Sequence, residues 1–169
     1  MGTRPTKALN NIFCMARLEA AKYNEKLKSR DGAAELLGYA SASTISDWEL
    51  GISIPTPDAV LKMADLYNAP ELVNAFCKNM CPLGYDLPEI SICNLDRITI
   101  ETLNALKEID NTKDKLLEIT ADGIISDDER PVLSEILDKL DKINQVSSSL
   151  KVWIQKNINK EVSTNGKKG

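Results

Sequence analysis

The chain has 169 residues, 43% of them hydrophobic and 27% charged, with 21 lysines and arginines against 25 aspartates and glutamates and no histidine. A net charge of −4 and a mean hydropathy of −0.24 exclude a protein built to span a membrane and leave no bulk positive charge to hold a random duplex. Without histidine, general-base chemistry would fall to carboxylates, lysines or thiols. No glycine-rich phosphate loop or paired-carboxylate motif accompanies them, so we expect no enzyme and no small-molecule substrate.

No run of about 18 apolar residues occurs, and the start MGTRPTKALNN lacks the apolar core of a secretory signal, which predicts a soluble, cytoplasmic chain with no membrane partner. Proline and glycine are confined to a few places, the chain between them carries helical periodicity, and no strand-like alternation of any length appears. The expected class is all-α.

Leu9, Ile12, Phe13, Ala16, Ala20 and Tyr23 recur at the spacing of one helix face and predict a first helix. The stretch Ser29 to Gly51 then orders its residues as two helices packed across a tight turn require. Ser29 can cap a helix, Ala33 and Ala34 admit a close neighbour, Leu36 and Leu37 face the core, and Gly38 supplies the permissive backbone of the turn. Ser41 or Ser43 can cap the next helix, whose Ile45 and Trp48 share a buried face and leave Ser43, Thr44 and Asp47 on the other side. This pattern is a helix-turn-helix. Thr56 or Asp58 can start a fourth helix with Pro57 in its first turn and Val60, Met63, Ala64 and Tyr67 on one face. Pro70 opens a fifth helix running to about Cys81.

Pro82, Gly84 and Pro88 interrupt any helix, and residues 83–97 are expected to link a first domain, 1–82, to a second unit at 98–160. From Thr99 to Thr120 the apolar positions Leu103, Leu106, Ile109, Leu116 and Leu117 recur at threes and fours, and Ala121-Asp122-Gly123 stops the helix. Ser126 to Glu129 matches a serine-x-x-glutamate capping box, which starts the last helix at Ser126 or Asp127. That helix carries Leu133, Ile136, Leu140, Ile143, Leu150 and Ile154, a heptad seam broken only at Ser147. Two such helices cannot bury both faces alone, so the arm is expected to be an antiparallel hairpin or coiled coil that pairs with a second copy to form a homodimer. Residues 161–169 are expected to form a disordered tail.

Cys77 and Cys81 lie one turn apart on the fifth helix, with Cys93 beyond them and Cys14 in the first. These four thiols are the one set that could hold zinc or an iron–sulfur cluster. The pattern C-x3-C-x11-C lacks the C-x-x-C spacing of zinc knuckles and no histidine completes a mixed site, so the expectation is no metal and no cofactor. The acidic loop Asp122 to Glu129 is too short for a calcium-binding hand, and its Ser126 and Glu129 are accounted for by capping.

Residues 9 to 75 resemble the Xre-type, Cro-like helix-turn-helix transcriptional regulators of bacteria, their phages and mobile elements. The most specific piece, Thr44-Ile45-Ser46-Asp47-Trp48-Glu49-Leu50-Gly51, looks like the recognition helix and its closing glutamate-x-glycine. Ala34 and Gly38 resemble the small alanine and turn glycine, and Met63-Ala64 with Tyr67 the fourth helix. The added arm looks like that of regulators carried by integrative elements of Gram-positive bacteria.

The resemblance implies a sequence-specific regulator of double-stranded DNA. Ala42, Ser43, Thr44 and Asp47 would lie at base edges, Arg30 and Ser41 at phosphates, and Glu49 would pair with a basic residue of the first helix, Arg17 or Lys22. Lys26, Lys28 and Lys62 are the further cations placed near phosphates, with Arg4 and Lys7 as an arm. No lysine or arginine occurs between Asp31 and Lys62, and residues 1–82 carry nine basic and nine acidic residues, so DNA affinity would rest on pairing two domains on a two-fold site. A protein-interaction module with the same fold and no DNA binding is the alternative.

Overall fold

The computed structural model of the protein describes residues 10–91, 93–121 and 123–165, with side chains as far as Ile158. Every regular element among them is helical, in agreement with the all-α expectation. They are α1 (Ile12–Ala20), α2 (Arg30–Leu37), α3 (Ala42–Leu50), α4 (Pro57–Leu66), α5 (Glu71–Met80), α6 (Leu95–Ile119) and α7 (Arg130–Asn165). Short 3-10 turns occupy Glu25–Lys28 and Pro82–Gly84. No helix among the described residues is long and apolar enough to cross a membrane. The chain divides into two compact units, Met1–Leu87 with Lys156–Gly169, and Pro88–Gln155.

In the first unit the helix ends are set by local chemistry. Asn11 caps α1, its Oδ1 accepting from the N–H groups of Phe13 (2.9 Å) and Cys14 (3.3 Å). Ser29 caps α2 through Gly32 N–H (3.0 Å), and Thr56 caps α4 through Ala59 N–H (3.3 Å) with Pro57 as its first residue. Helices α2 and α3 both end on left-handed glycines, Gly38 (φ 78°) and Gly51 (φ 70°). In each case the following N–H turns back to close the helix, Tyr39 to Ala34 O and Ile52 to Asp47 O, both at 2.8 Å. The five helices enclose one core in which Phe13, Leu27, Ile45, Val60 and Met63 are fully buried and Trp48, Leu72 and Phe76 complete the filling. Gly32 allows α2 to lie against the preceding turn, since a Cβ there would fall 2.0 Å from the Lys26 carbonyl oxygen.

The second unit is an antiparallel hairpin. Near the turn Lys115 of α6 pairs with Glu135 of α7 (2.9 Å), and at the open end Ser91 N–H donates to Ser149 Oγ (3.2 Å) and Gln145 Nε2 to Glu89 O (3.1 Å). The helices bury Ile98, Ala105, Thr112 and Ile119, at sevenfold spacing on α6, and Ile136, Val146 and Ser149 on α7. This corrects the expectation from hydrophobicity. Leu103, Leu106, Leu116 and Leu117 are exposed and Ile109 is half-buried, while the smaller Ala105 and Thr112 are the residues buried on α6.

The α7 seam divides in the same way. Ile136 is buried, Leu133, Ile143 and Leu150 are half-buried, and Leu140 and Ile154 are exposed. Helix α6 starts at Leu95, four residues before the expected Thr99. Helix α7 starts at Arg130 instead of Asp127, which puts Pro131 in the first turn, where its missing N–H costs nothing. The capping carboxylate survives this shift, with Glu129 Oε2 accepting from Ser126 N–H at 2.7 Å. Helix α7 also extends to Asn165, into the stretch 161–169 expected as tail, whose residues 166–169 lie outside the described chain, as does Asp122 of the turn.

Candidate nucleic-acid interface

Gly38, Tyr39, Ala40 and Ser41 form the turn between α2 and α3. Ser41, with extended backbone, is the cap. Its Oγ accepts from Ser43 N–H at 3.1 Å and lies 2.8 Å from Ser43 Oγ. Ile45 and Trp48 anchor the inner side of α3, and Trp48 meets the Tyr39 ring edge-on, centroids 5.1 Å apart at 88°. Ser43 and Asp47, one turn apart, lie on the opposite side. Ser43 is exposed and Ala42, Thr44 and Asp47 are half-buried around it, so the four candidate base-contact residues share the outer part of this helix.

The position of α3 is fixed by a buried charge network at its other end. Glu49, 1% exposed, accepts from Arg17 Nε (2.5 Å) and Nη2 (3.1 Å) and from Arg30 Nε (2.7 Å). Arg17 Nη1 also donates to the carbonyls of Leu27 (2.8 Å) and Lys28 (3.3 Å), so one guanidinium joins α1, the turn before α2 and the end of α3. Asn11 adds a bond from Nδ2 to Trp48 O (3.0 Å). Burial pushes the Glu49 carboxyl up, but the hydrogen bonds and charges of Arg17 and Arg30 outweigh it and hold the group below the usual carboxylate range. Of the two expected partners of Glu49, Arg17 is the one engaged, while Lys22 turns to Glu19 (2.5 Å). Arg30 is a further partner from α2.

The candidate phosphate contacts already face groups of the protein. Lys28 pairs with Glu25 (2.6 Å), Lys26 with Glu35 (2.8 Å), and the Lys62 ammonium sits 6.0 Å from the Tyr39 ring centroid. Exposed pairs of this kind are worth only about 0–1 kcal/mol, so a phosphate can take over the cation at little cost. Arg30 differs. Its Nε is held by buried Glu49 while its side chain stays 27% exposed. Arg4 and Lys7 lie outside the described residues. After Gly51 the surface carries Ile52 and Ile54, both exposed.

A family model described as a helix-turn-helix domain matches residues 16–76, from within α1 through most of α5. The first unit carries a helix-turn-helix domain. The comparisons with curated proteins and with solved structures gave no match.

Within the helix-turn-helix domain Cys14 is buried against Arg17, with Nη2 4.0 Å from its Sγ, and burial together with the charge of Glu49 raises its pKa and keeps it a thiol. Cys77 and Cys81 are half-buried at the end of α5, and Cys93 is half-buried in the second unit. Among the described residues no group of three or more histidine, cysteine, aspartate or glutamate side chains is gathered as a metal site. The sequence reading passed over Asn11 and Gly32. An asparagine directly before a periodic apolar run is a cap signal, whereas the close approach at Gly32 depends on the tertiary path of the turn before α2.

Proposed function

We propose that the protein is a sequence-specific, double-stranded DNA-binding transcriptional regulator of the Xre type, cytoplasmic, without catalytic activity or cofactor, and acting as a homodimer. The observation that carries this reading is the clasp of Arg17, Arg30 and Glu49, which fixes α3 while Ser43 and Asp47 stay on its outer side. A helix so held enters a major groove as a rigid reader. Ala42, Ser43, Thr44 and Asp47 would meet base edges, an aspartate accepting from a cytosine amino group and an alanine meeting a thymine methyl. Lys28, Arg30, Ser41 and Lys62 would meet phosphates, Arg30 with Nε on Glu49 and its side chain still partly exposed.

With charge balanced over residues 1–82, one domain supplies little nonspecific affinity, so two domains on a two-fold site are needed and the hairpin is the pairing element. Selection from a random duplex pool, followed by anisotropy titration of the enriched sequence against scrambled DNA over a range of salt, tests this. A two-fold motif bound far tighter than the scramble is expected. Lys28→Ala should weaken all sequences alike, and Asp47→Ala should alter preference at one base pair by about 1–3 kcal/mol. If folded protein enriches no motif, the regulator reading falls.

A further inference from the structure

The two open sides of the hairpin differ sharply. On one side lie Glu101, Asn104 and Glu108 of α6 with Asp138 and Lys142 of α7, next to the Lys115–Glu135 bridge. On the other, α6 presents a stripe at spacings of four, three and four, Leu106, Asp110, Lys113 and Leu117, and α7 presents Leu133, Leu137 and Leu140. Leu106, Leu117, Leu137 and Leu140 are 51%, 61%, 62% and 47% exposed. Both stripes occupy the same side for a geometric reason. Antiparallel helices turn in opposite senses when viewed end-on, so residues one position after the buried ones, Leu106 after Ala105 and Leu137 after Ile136, fall on one common face.

The order of residues on that face says what covers it. Read backwards, the α6 stripe is leucine, lysine, aspartate, leucine, so an antiparallel copy sets Leu106 against Leu117, Asp110 against Lys113, and the reverse of both. Leu133 and Leu140 of α7 exchange places under a rotation centred between Ile136 and Leu137. The Lys115–Glu135 pairing brings the midpoint of the α7 set to within about two residues, ~3 Å, of that of the α6 stripe, close enough for one two-fold axis to serve both. Asp110 and Lys113 are exposed, and neither forms an ion pair among the described residues. At about half exposure each, the apolar side chains of two copies bury on the order of 1,000 Å², the lower bound of a specific interface.

We infer that this face binds a second copy of the chain, with the α6 helices antiparallel across a two-fold axis and each Asp110 paired with the partner subunit's Lys113. The inference rests on the dimeric reading above and replaces the full α7 seam with a four-helix contact, since Ile136 is spent inside the hairpin. Sedimentation equilibrium of the full chain without DNA tests it. A dimer with a dissociation constant of about micromolar order is expected, and Asp110→Lys or Lys113→Asp alone should weaken it about tenfold or more by setting like charges together. The double swap Asp110→Lys with Lys113→Asp should restore it, because the exchanged stripe is again complementary to itself, and circular dichroism should show the same helix content throughout. A monomer at about 100 μM overturns the inference, as does a dimer indifferent to the single swaps. In the latter case the dimeric regulator stands with its interface elsewhere, whereas DNA selection that fails while the swaps behave as expected removes the regulator and leaves the interface.

Discussion

The helix-turn-helix domain and the hairpin are both helical, yet they close by different means. In the domain the large apolar side chains go inside, Phe13, Met63 and Trp48 among them, and the helix ends are fixed by Asn11, Ser29, Ser41, Thr56 and two left-handed glycines. In the hairpin the buried positions include Ala105, Thr112 and Ser149, many leucines stay outside, and Asn94 before α6 makes no side-chain capping bond. The contrast teaches that the most hydrophobic stripe of a helix is the one it packs only when enough neighbours surround it. Five short helices supply those neighbours, and two long ones do not.

The two tryptophans allow the contrast to be broken, since Trp48 reports on the domain and Trp153 on the hairpin. The largest effect is expected from Glu49→Ala, which strands Arg17 in the core and should cost the domain about 3–5 kcal/mol in urea unfolding followed at Trp48. The same carboxylate gives the domain a pH signature. Because its folded pKa is lowered, its contribution is complete above the unfolded value of about 4.3 and is lost as pH falls through the folded pKa. Acid titration of Trp48 fluorescence should therefore show domain stability falling below about pH 4, and Glu49→Gln should flatten that dependence.

Gly32→Ala should follow at about 1–3 kcal/mol, because the new Cβ meets the backbone carbonyl of Lys26 and not a movable side chain. Gly51→Ala should cost about 1–2 kcal/mol through its positive φ alone, as nothing lies within 4 Å of the added atom. Ser41→Ala is the smallest, about 0.5–1 kcal/mol for the lost cap of α3, and thermal unfolding at Trp48 would register it as a shift of a few degrees.

The domain was legible because its signals are local. Ser29, Gly38, Thr56 with Pro57, and the pair Ile45 and Trp48 each act within one turn of their own position, and α2, α3 and α4 follow from them. The competition between Ser41 and Ser43 was settled by backbone geometry, the extended conformation of Ser41, which composition does not encode. In the candidate site, Glu49 with Arg17 was readable as one of two pairings, while Arg30 as a third member was not, since it requires α2 to be laid beside the end of α3. The hairpin was legible in its helices and not in its faces. Leu103, Leu106 and Leu117 outscore Ala105 and Thr112 in any hydrophobic count, yet the smaller pair is the one buried.

The division of labour along α3 has an evolutionary consequence. Ile45, Trp48 and Glu49 carry the folding of this helix, while Ser43 and Asp47, with Ala42 and Thr44 beside them, take no part in the clasp. If the proposed base contacts hold, preference and foldability are written in separate letters of one nine-residue word, and a lineage can rewrite the first without erasing the second. A library randomised at 42, 43, 44 and 47 should consist largely of folded proteins, each an immediate candidate for a new target.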